Sequence, residues 1–225
     1  MKALLLAAAL FAVAAPAAAT VNLVTNGNFS AGNAGFTSDY NFKAAPDGNA
    51  LSEARYTIDT NAINTHFAWA SFGDKTGDAA GLYFIANGAG FDSIAWQQTI
   101  TVNPGSRYNF AAFAANLCCN ANQAPPNFSM LDFQVDTGGG FTSVGTFTLS
   151  GVGTWLGNTG QFTAGPGTSV LARIVNTNTL AGGNDFALDD ISVANVPEPA
   201  TWSLMVIGFG MVGAGMRRRS GAVAA

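Results

Sequence analysis

Few residues of this sequence have the types and spacing that catalysis requires. His66 is the one histidine of the chain, and Glu53 is the one glutamate between residues 20 and 196. A serine-based triad would have to use His66, and the sequence has no Gly-x-Ser-x-Gly elbow. Glycoside hydrolysis needs two carboxyl groups that flank the bond, and no such pair stands out. We therefore predict no catalytic residue and a protein that is not an enzyme.

Strand-like runs separated by turn residues fill residues 20–196, which we predict to be one domain. The runs are 21–24, 54–58, 66–72, 82–86, 93–102, 107–117, 128–135, 143–149, 168–176 and 185–193. No sustained helical periodicity lies between them. The pattern predicts an all-β fold, an antiparallel β-sandwich of about ten strands. Residues 29–50 and 120–127 are rich in turn-forming residues and are predicted to be long loops.

The charge of this stretch excludes one class of partner. Residues 20–196 contain five Lys or Arg and twelve Asp or Glu, a net charge near −7. Nucleic-acid binding requires a basic surface, so we predict no nucleic acid partner. An acidic, Asn- and Thr-rich domain is typical of a soluble surface protein or of a binder of neutral sugars or cations.

The N-terminus has the layout of a secretory signal peptide. Lys2 precedes an apolar run over residues 3–15, and Ala17, Ala18 and Ala19 follow as a small-residue cleavage site. The run is short for a membrane span, and it lacks the polar face of a buried helix. We predict cleavage after Ala19, with residues 1–19 as the signal helix.

The C-terminal stretch has the features of a membrane-sorting tail. Residues 200–216 contain no charge, which is near the lower limit for a transmembrane helix. Trp202 is expected at one membrane interface and the arginines at the cytoplasmic one. Residues 220–225 are then a cytoplasmic tail. An ordinary tail anchor that is never cut is the alternative.

This tail resembles the PEP-CTERM sorting signal, in the variant with a tryptophan after the Pro-Glu-Pro triplet. The residues that carry the resemblance are Pro197, Glu198, Pro199, Trp202, Arg217, Arg218 and Arg219. The same tail is also catalogued as an ice-binding protein C-terminal domain. The resemblance implies processing by an exosortase in the inner membrane of a Gram-negative, polysaccharide-producing host. It implies export across that membrane, anchoring there before cleavage, and a cell-surface or extracellular location afterwards.

Three segments of the domain, 22–30, 96–110 and 186–193, resemble the galactose-binding-like jelly roll of many carbohydrate-binding modules. The first carries Asn26-Gly27-Asn28-Phe29 and the last carries Asp189-Asp190 before a hydrophobic strand. The resemblance implies that these two ends pair and share a structural calcium at Asn26, Asn28, Asp189 and Asp190. Ser30 stands where the family often has glutamate, which removes one oxygen ligand. The alternative is that Asp189 and Asp190 hydrogen bond the N-terminal turn.

Cys118 and Cys119 are adjacent and are the only cysteines. With a single histidine they do not form a zinc-binding pattern. Because disulfides persist in exported proteins, we predict a bond between these neighbours. Two free thiols, or pairing with another chain, are the alternatives.

Aromatic side chains near loops are candidates for stacking on sugar rings. We predict this role for Tyr40, Phe42 and Trp155, and a core position for Trp96. Taken together, the sequence indicates an exported, non-catalytic surface or matrix protein that associates with polysaccharide. A dedicated carbohydrate-binding module is the first alternative, and a secreted hydrolase is the second.

Overall fold

Ten strands make up the part of the body that the structure describes. The computed structural model describes residues 20–45, 51–119, 127–180, 182–196 and 207–211. The strands are β1 Asn41–Phe42, β2 Arg55–Asp59, β3 Tyr83–Asn87, β4 Ser93–Thr101, β5 Arg107–Asn116, β6 Met130–Asp136, β7 Phe141–Thr148, β8 Leu156–Thr163, β9 Ser169–Asn176 and β10 Phe186–Asn195. A short 3-10 turn, Ala62–Asn64, lies between β2 and β3. Val21–Val196 is one compact unit.

The strands form two sheets that pack face to face. Sheet I has the order β1-β2-β3-β10-β5-β8, and sheet II has the order β4-β9-β6-β7. All pairings are antiparallel except the short β1–β2 pair. The predicted antiparallel β-sandwich of jelly-roll type is therefore confirmed.

The core lies between the sheets because each strand points alternate side chains inward. Trp96 of sheet II, Phe110 of sheet I and Phe133 of sheet II meet there, all fully buried. The Phe110 and Phe133 rings stack with their centroids 4.9 Å apart. Trp96 has the core position that its alternating strand predicts.

The two ends of the sandwich pair, as the resemblance implied. Leu23 N–H donates to the Val193 carbonyl at 2.8 Å, and Ile191 N–H donates to the Gly27 carbonyl at 2.8 Å. A Cβ on Gly27 would lie 2.0 Å from the Ile191 carbonyl oxygen, so the Asn-Gly turn needs its glycine for this approach. β10 has a bulge between Asp189 and Ser192, where the turn sits.

A second apolar cluster lies on the outer side of sheet I, beneath residues 60–82, which we call the covering segment. Trp69, Tyr83 and Leu117 are fully buried in it. The strand predicted over residues 66–72 is wrong, since Trp69 makes only an isolated bridge to Cys118. Its apolar side chains are buried because they pack over the outer face of sheet I. This packing does not require the segment to form a strand.

The sequence prediction also missed β8. This strand alternates Gly and polar residues with few apolar ones, so it lacks the usual signal. It pairs with β5 along its whole length. A Cβ on Gly160 would lie 2.3 Å from the Val144 carbonyl oxygen, which shows how closely β8 approaches β7 where the two sheets meet.

Most residues of the two terminal signals lie outside the described part of the structure. These are the predicted signal peptide, the Pro-Glu-Pro triplet, Trp202 and the three arginines. Within the tail only residues 207–211 are described, and they are helical. Among the described residues there is no helix with the length and apolarity that crossing a membrane requires.

Candidate functional site

The outer face of sheet II carries a continuous row of polar side chains. Gln97, Arg173, Gln134 and Ser143 stand in register across its four strands. Arg173 Nε donates to Gln134 Oε1 at 2.8 Å, and Gln134 Nε2 donates to Asp132 Oδ2 at 2.6 Å. Ser143 Oγ donates to the other carboxylate oxygen, Asp132 Oδ1. We call these five side chains the polar row: Gln97, Asp132, Gln134, Ser143 and Arg173.

The local sequence explains why the polar row faces outward. Asp132 and Gln134 flank the fully buried Phe133 in β6, and Arg173 interrupts the otherwise apolar run of β9. Alternation along a strand then puts all three polar side chains on the outer side of sheet II, where Gln134 and Arg173 are partly exposed and Asp132 is buried at 9 % exposure. None of the three was among the site residues predicted from the sequence. The signal was present, because a charged residue within an apolar strand has to reach solvent or a partner.

Arg173 is held from two sides. Its guanidinium lies over the Phe141 ring, with Cζ 3.4 Å from the ring centroid, and its Nε is bonded to Gln134. Within the described part of the chain its two terminal amino groups have no hydrogen-bond partner and no carboxylate within ion-pair distance. A planar cation with a fixed orientation and free N–H groups therefore stands on an exposed sheet face.

A shallow groove runs along the β4 edge of the same face. It has a volume of about 430 Å³ and is lined by Gly35, Phe36, Thr37, Gln97, Gln98, Thr99 and Leu171. Gln98 holds its wall in place, since its side-chain amide bonds the backbone of Thr25 and Gly35. Gln97 belongs both to the groove and to the polar row, so the two features are continuous.

The three aromatic residues predicted to stack on sugars have different surroundings. Tyr40 is buried at 3 % exposure, so its prediction is wrong: its hydroxyl accepts from Ser93 Oγ at 2.9 Å, and its ring contacts Phe186 edge-on. Trp155 is half-buried, and its Nε1 donates to the Gly73 carbonyl at 3.1 Å. Phe42 is 43 % exposed, but it lies on the edge strand of sheet I, whereas the polar row lies on sheet II.

Four aspartates line a pocket of about 330 Å³ beside the N-terminal turn. Its walls are Asn28, Ser30, Asp74, Thr76, Asp78, Ala80, Gly81, Leu82, Asp189 and Asp190. The structure therefore brings together Asn28, Asp189 and Asp190, as predicted, and adds Asp74 and Asp78 from the covering segment. Asn26 is not part of this pocket. Its side-chain amide bonds the Gly32 and Ala34 carbonyls and the Ala31 N–H within its own loop.

The arrangement in this pocket does not fit the structural calcium that the resemblance implied. Both carboxylate oxygens of Asp189 already accept backbone N–H groups, from Lys75 at 3.1 Å and Asp190 at 2.8 Å. The Lys75 ammonium lies 3.9 Å from Asp190 Oδ2 and 4.1 Å from the centroid of the Phe113 ring. No three acidic, His or Cys side chains of the described residues converge as metal ligands would. Asp189 instead hydrogen bonds the covering segment.

Burial raises the pKa of the two aspartates that hydrogen bond the covering segment. Asp185 is 5 % exposed and accepts from Trp69 Nε1 and from Gly88 N–H, each at 3.0 Å. Loss of hydration raises its pKa to about 6, against the opposing effect of these hydrogen bonds. Burial also raises the pKa of Asp189 to about 6.

The remaining candidates have structural surroundings. Cys118 and Cys119 are joined by a disulfide at the end of the second apolar cluster. His66 stacks on Phe67 with ring centroids 5.0 Å apart, and its Nδ1 accepts the Ala68 N–H at 3.3 Å. Its pKa is lowered by burial. No hydrogen bond joins His66 to a serine or a carboxylate among the described residues.

Solved structures that resemble the body share its fold at low sequence identity. The Stig cyclase Fisc from Fischerella sp. TAU is 12 % identical, with a TM-score of 0.53 over 80 % of this chain and 99 % of the cyclase. Another solved structure, of a cyclase from Fischerella sp. TAU, is 15 % identical, with a TM-score of 0.52 over 80 % of this chain and 98 % of the cyclase. A family 16 carbohydrate-binding module is 16 % identical, with a TM-score of 0.46 over 76 % and 99 %.

At these identities the two cyclase structures show a common fold and say nothing of chemistry. No curated protein matches the chain. The C-terminal tail, in contrast to the body, matches a defined sequence motif. Residues 195–219 match the PEP-CTERM protein-sorting motif, so this chain carries the signal of exported proteins that an exosortase sorts at the membrane.

Proposed function

We propose that this protein is a non-catalytic extracellular protein that associates with polysaccharide through the outer face of sheet II. The polar row is the observation that carries the proposal. Its hydrogen bonds link Arg173, Gln134 and Asp132 into one chain of side chains before any ligand arrives. Fixed polar groups on an open face lower the entropy cost of binding an extended chain of hydroxyl groups.

The shape of the face supports a polymer as the ligand. The groove beside Gln97 is shallow and open at about 430 Å³, and Phe36, Leu171 and the ring of Phe141 add apolar surface next to the polar groups. Sugar rings present apolar faces and polar edges, which such a mixed surface can contact together. In this proposal the sorting tail serves for export, and the mature protein acts in the matrix or at the cell surface.

The test is binding of the full chain, purified in mild detergent, to immobilised polysaccharides. The Gln134→Leu variant removes the side chain that bonds both Arg173 and Asp132, and we expect at least about tenfold weaker binding. Phe67→Ser is the matched control, because Phe67 is 67 % exposed on the covering segment of the other sheet. Equal binding by the wild type and Gln134→Leu would sink the proposed site.

One observation favours hydrolysis as a second candidate function. Asp189, with a pKa raised to about 6, shares a pocket with Asp74, Asp78 and Asp190, and a carboxyl group that holds its proton can act as a general acid. Its two oxygens, however, accept backbone N–H groups that fix the covering segment. Release of reducing ends by the wild type, with none by Asp189→Asn, would establish hydrolysis over binding.

A further inference from the structure

The hydrogen bonds of the polar row determine which groups are left for a ligand. Both oxygens of Asp132 accept, from Gln134 and from Ser143, and both ends of the Gln134 amide are engaged. The terminal N–H groups of Arg173 have no partner among the described residues. The centre of the row therefore offers positively charged donors that have no partner, while each of its acceptor oxygens on Asp132 and Gln134 already accepts one hydrogen bond.

The geometry of Arg173 suits a carboxylate more than a hydroxyl. A guanidinium presents parallel N–H groups that match the two oxygens of a carboxylate, and such charge-assisted pairs are stronger than neutral hydrogen bonds. The Phe141 ring shields one side of the cation from water at 3.4 Å and so strengthens its attraction to an anion. Asp132 does not neutralise this charge directly, because the Gln134 amide lies between them.

The charge of the rest of the domain limits how many carboxylates the ligand carries. Residues 20–196 have a net charge near −7, which repels a densely charged polyanion. On the same sheet, Asp136 accepts the Gly138 and Gly140 N–H groups and adds a further negative charge near the row. A single fixed cation in an acidic surface favours isolated carboxylates that neutral sugars separate.

We propose that the ligand of this face is a sparsely acidic polysaccharide, whose isolated uronate carboxylates bind the terminal N–H groups of Arg173. This inference rests on the proposed function and adds the class of ligand. Gln97 and the groove then contact the neutral sugars next to the uronate. Arg173 is the residue that selects the acidic polymer over a neutral one.

The experiment compares three polysaccharides on the full chain in mild detergent. Gellan has uronates separated by neutral sugars, carboxyl-reduced gellan has the same backbone without the charge, and polygalacturonate is densely charged. We expect wild-type protein to bind gellan about 10- to 100-fold more tightly than reduced gellan, the range of a charged hydrogen-bonded pair. We expect polygalacturonate to bind more weakly than gellan at low salt.

Variants of Arg173 show whether this residue makes the discrimination. Arg173→Gln should bind gellan and reduced gellan equally, while Arg173→Lys, which keeps the charge and loses the planar fork, should retain part of the preference. Circular dichroism and melting temperature check that each variant is folded. Equal wild-type affinity for gellan and reduced gellan, with both weakened by Gln134→Leu, would overturn this inference and leave the proposed function standing. Wild-type protein that binds no polysaccharide would overturn both, and a preference unchanged in Arg173→Gln would overturn the role of Arg173.

Discussion

The outer faces of the two sheets differ although both belong to one sandwich. Sheet I is overlaid by the covering segment, whose Trp69 packs in one fully buried cluster with Tyr83 and Ile85 of the sheet. Sheet II has no such layer among the described residues, and its outer side chains, Arg173 and Gln134 among them, remain partly exposed. The outer face of sheet I is therefore part of a second apolar core, while the outer face of sheet II presents ordered polar groups to solvent.

This contrast separates stability from binding. Burial of large apolar side chains under the covering segment stabilises the fold, and the polar row contributes little burial. Substitutions on the outer side of sheet I should lower the free energy of unfolding and leave the proposed binding face of sheet II intact. Substitutions on the outer side of sheet II should do the reverse.

The largest expected effect follows removal of the Trp69 ring. Trp69→Ala leaves a cavity beneath the covering segment and an unpaired buried Asp185 oxygen, so we expect a loss of about 3–5 kcal/mol in unfolding free energy. Denaturant unfolding measures it. Affinity for polysaccharide under native conditions should stay unchanged. Stability within about 1 kcal/mol of wild type would mean that the covering segment contributes little to the fold.

The pH dependence of stability is the next largest effect. Asp185 and Asp189 have pKa values of about 6 in the folded protein against an ordinary value of 3.8. Between these values the folded state binds more protons than the unfolded state, so these groups make stability fall as pH rises from 4 through 6. A shift of this size corresponds to at most about 3 kcal/mol for Asp185.

Melting temperature recorded from pH 4 to pH 7.5 checks this prediction. Asp185→Asn should flatten the decline, because the titrating group is gone, whereas Asp39→Asn, on the β4 side of the molecule, is the matched control and should preserve it. A wild-type melting temperature that rises steadily across this interval would contradict the prediction.

Loss of the Phe141 ring should have a smaller effect, confined to sheet II. Phe141→Leu keeps apolar volume but removes the ring under the Arg173 guanidinium, an interaction of about 0.5–1 kcal/mol at an exposed site. We expect binding to gellan to weaken by roughly two- to fivefold and the melting temperature to change little. Phe91→Leu, at another exposed phenylalanine, serves as the control. An equal weakening in both variants would argue against a specific role for Phe141.

The smallest expected effect concerns Lys75 and calcium. Lys75→Met removes a partly exposed ammonium near Asp190, and such pairs contribute less than about 1 kcal/mol. Both Asp189 oxygens accept backbone N–H groups and the Lys75 ammonium lies beside Asp190. Because this arrangement does not fit a calcium site, neither calcium nor a chelator should change the wild-type melting temperature. A rise of several degrees on adding calcium would show that the aspartate pocket binds the ion after all.

Local sequence patterns predicted most of the sandwich. Eight of the ten strands lie where alternation or a short apolar run, ended by turn residues, predicted them. β1 lies within the predicted loop 29–50. β8 was missed because its mostly glycine and polar residues carry no such pattern, and it is held by its neighbour β5. The segment around Trp69 was wrongly predicted as a strand. An apolar run indicates that its residues are buried, but it does not indicate whether they form a strand or pack over one.

The site was harder to predict than the fold. The meeting of Asp189 with the N-terminal turn was foreseen from a resemblance, but the approach of Asp74 and Lys75 depends on the path of the covering segment. The polar row depends on the register of four strands that are distant in sequence, from Gln97 to Arg173. Sequence shows which residues a strand turns outward, and only the sheet order shows which of them are neighbours.

The position of β10 has a mechanical consequence. This last strand lies between β3 and β5, and towards its end Asn22 and Leu23 bond it on the side opposite β5. A pull on the C-terminal end of the sandwich therefore acts along a strand that is bonded on both sides. Pulling β10 out along its own axis would break many of the hydrogen bonds to its neighbours at the same time, instead of one after another. A protein held at this end would resist a pull on the rest of the sandwich without unfolding first.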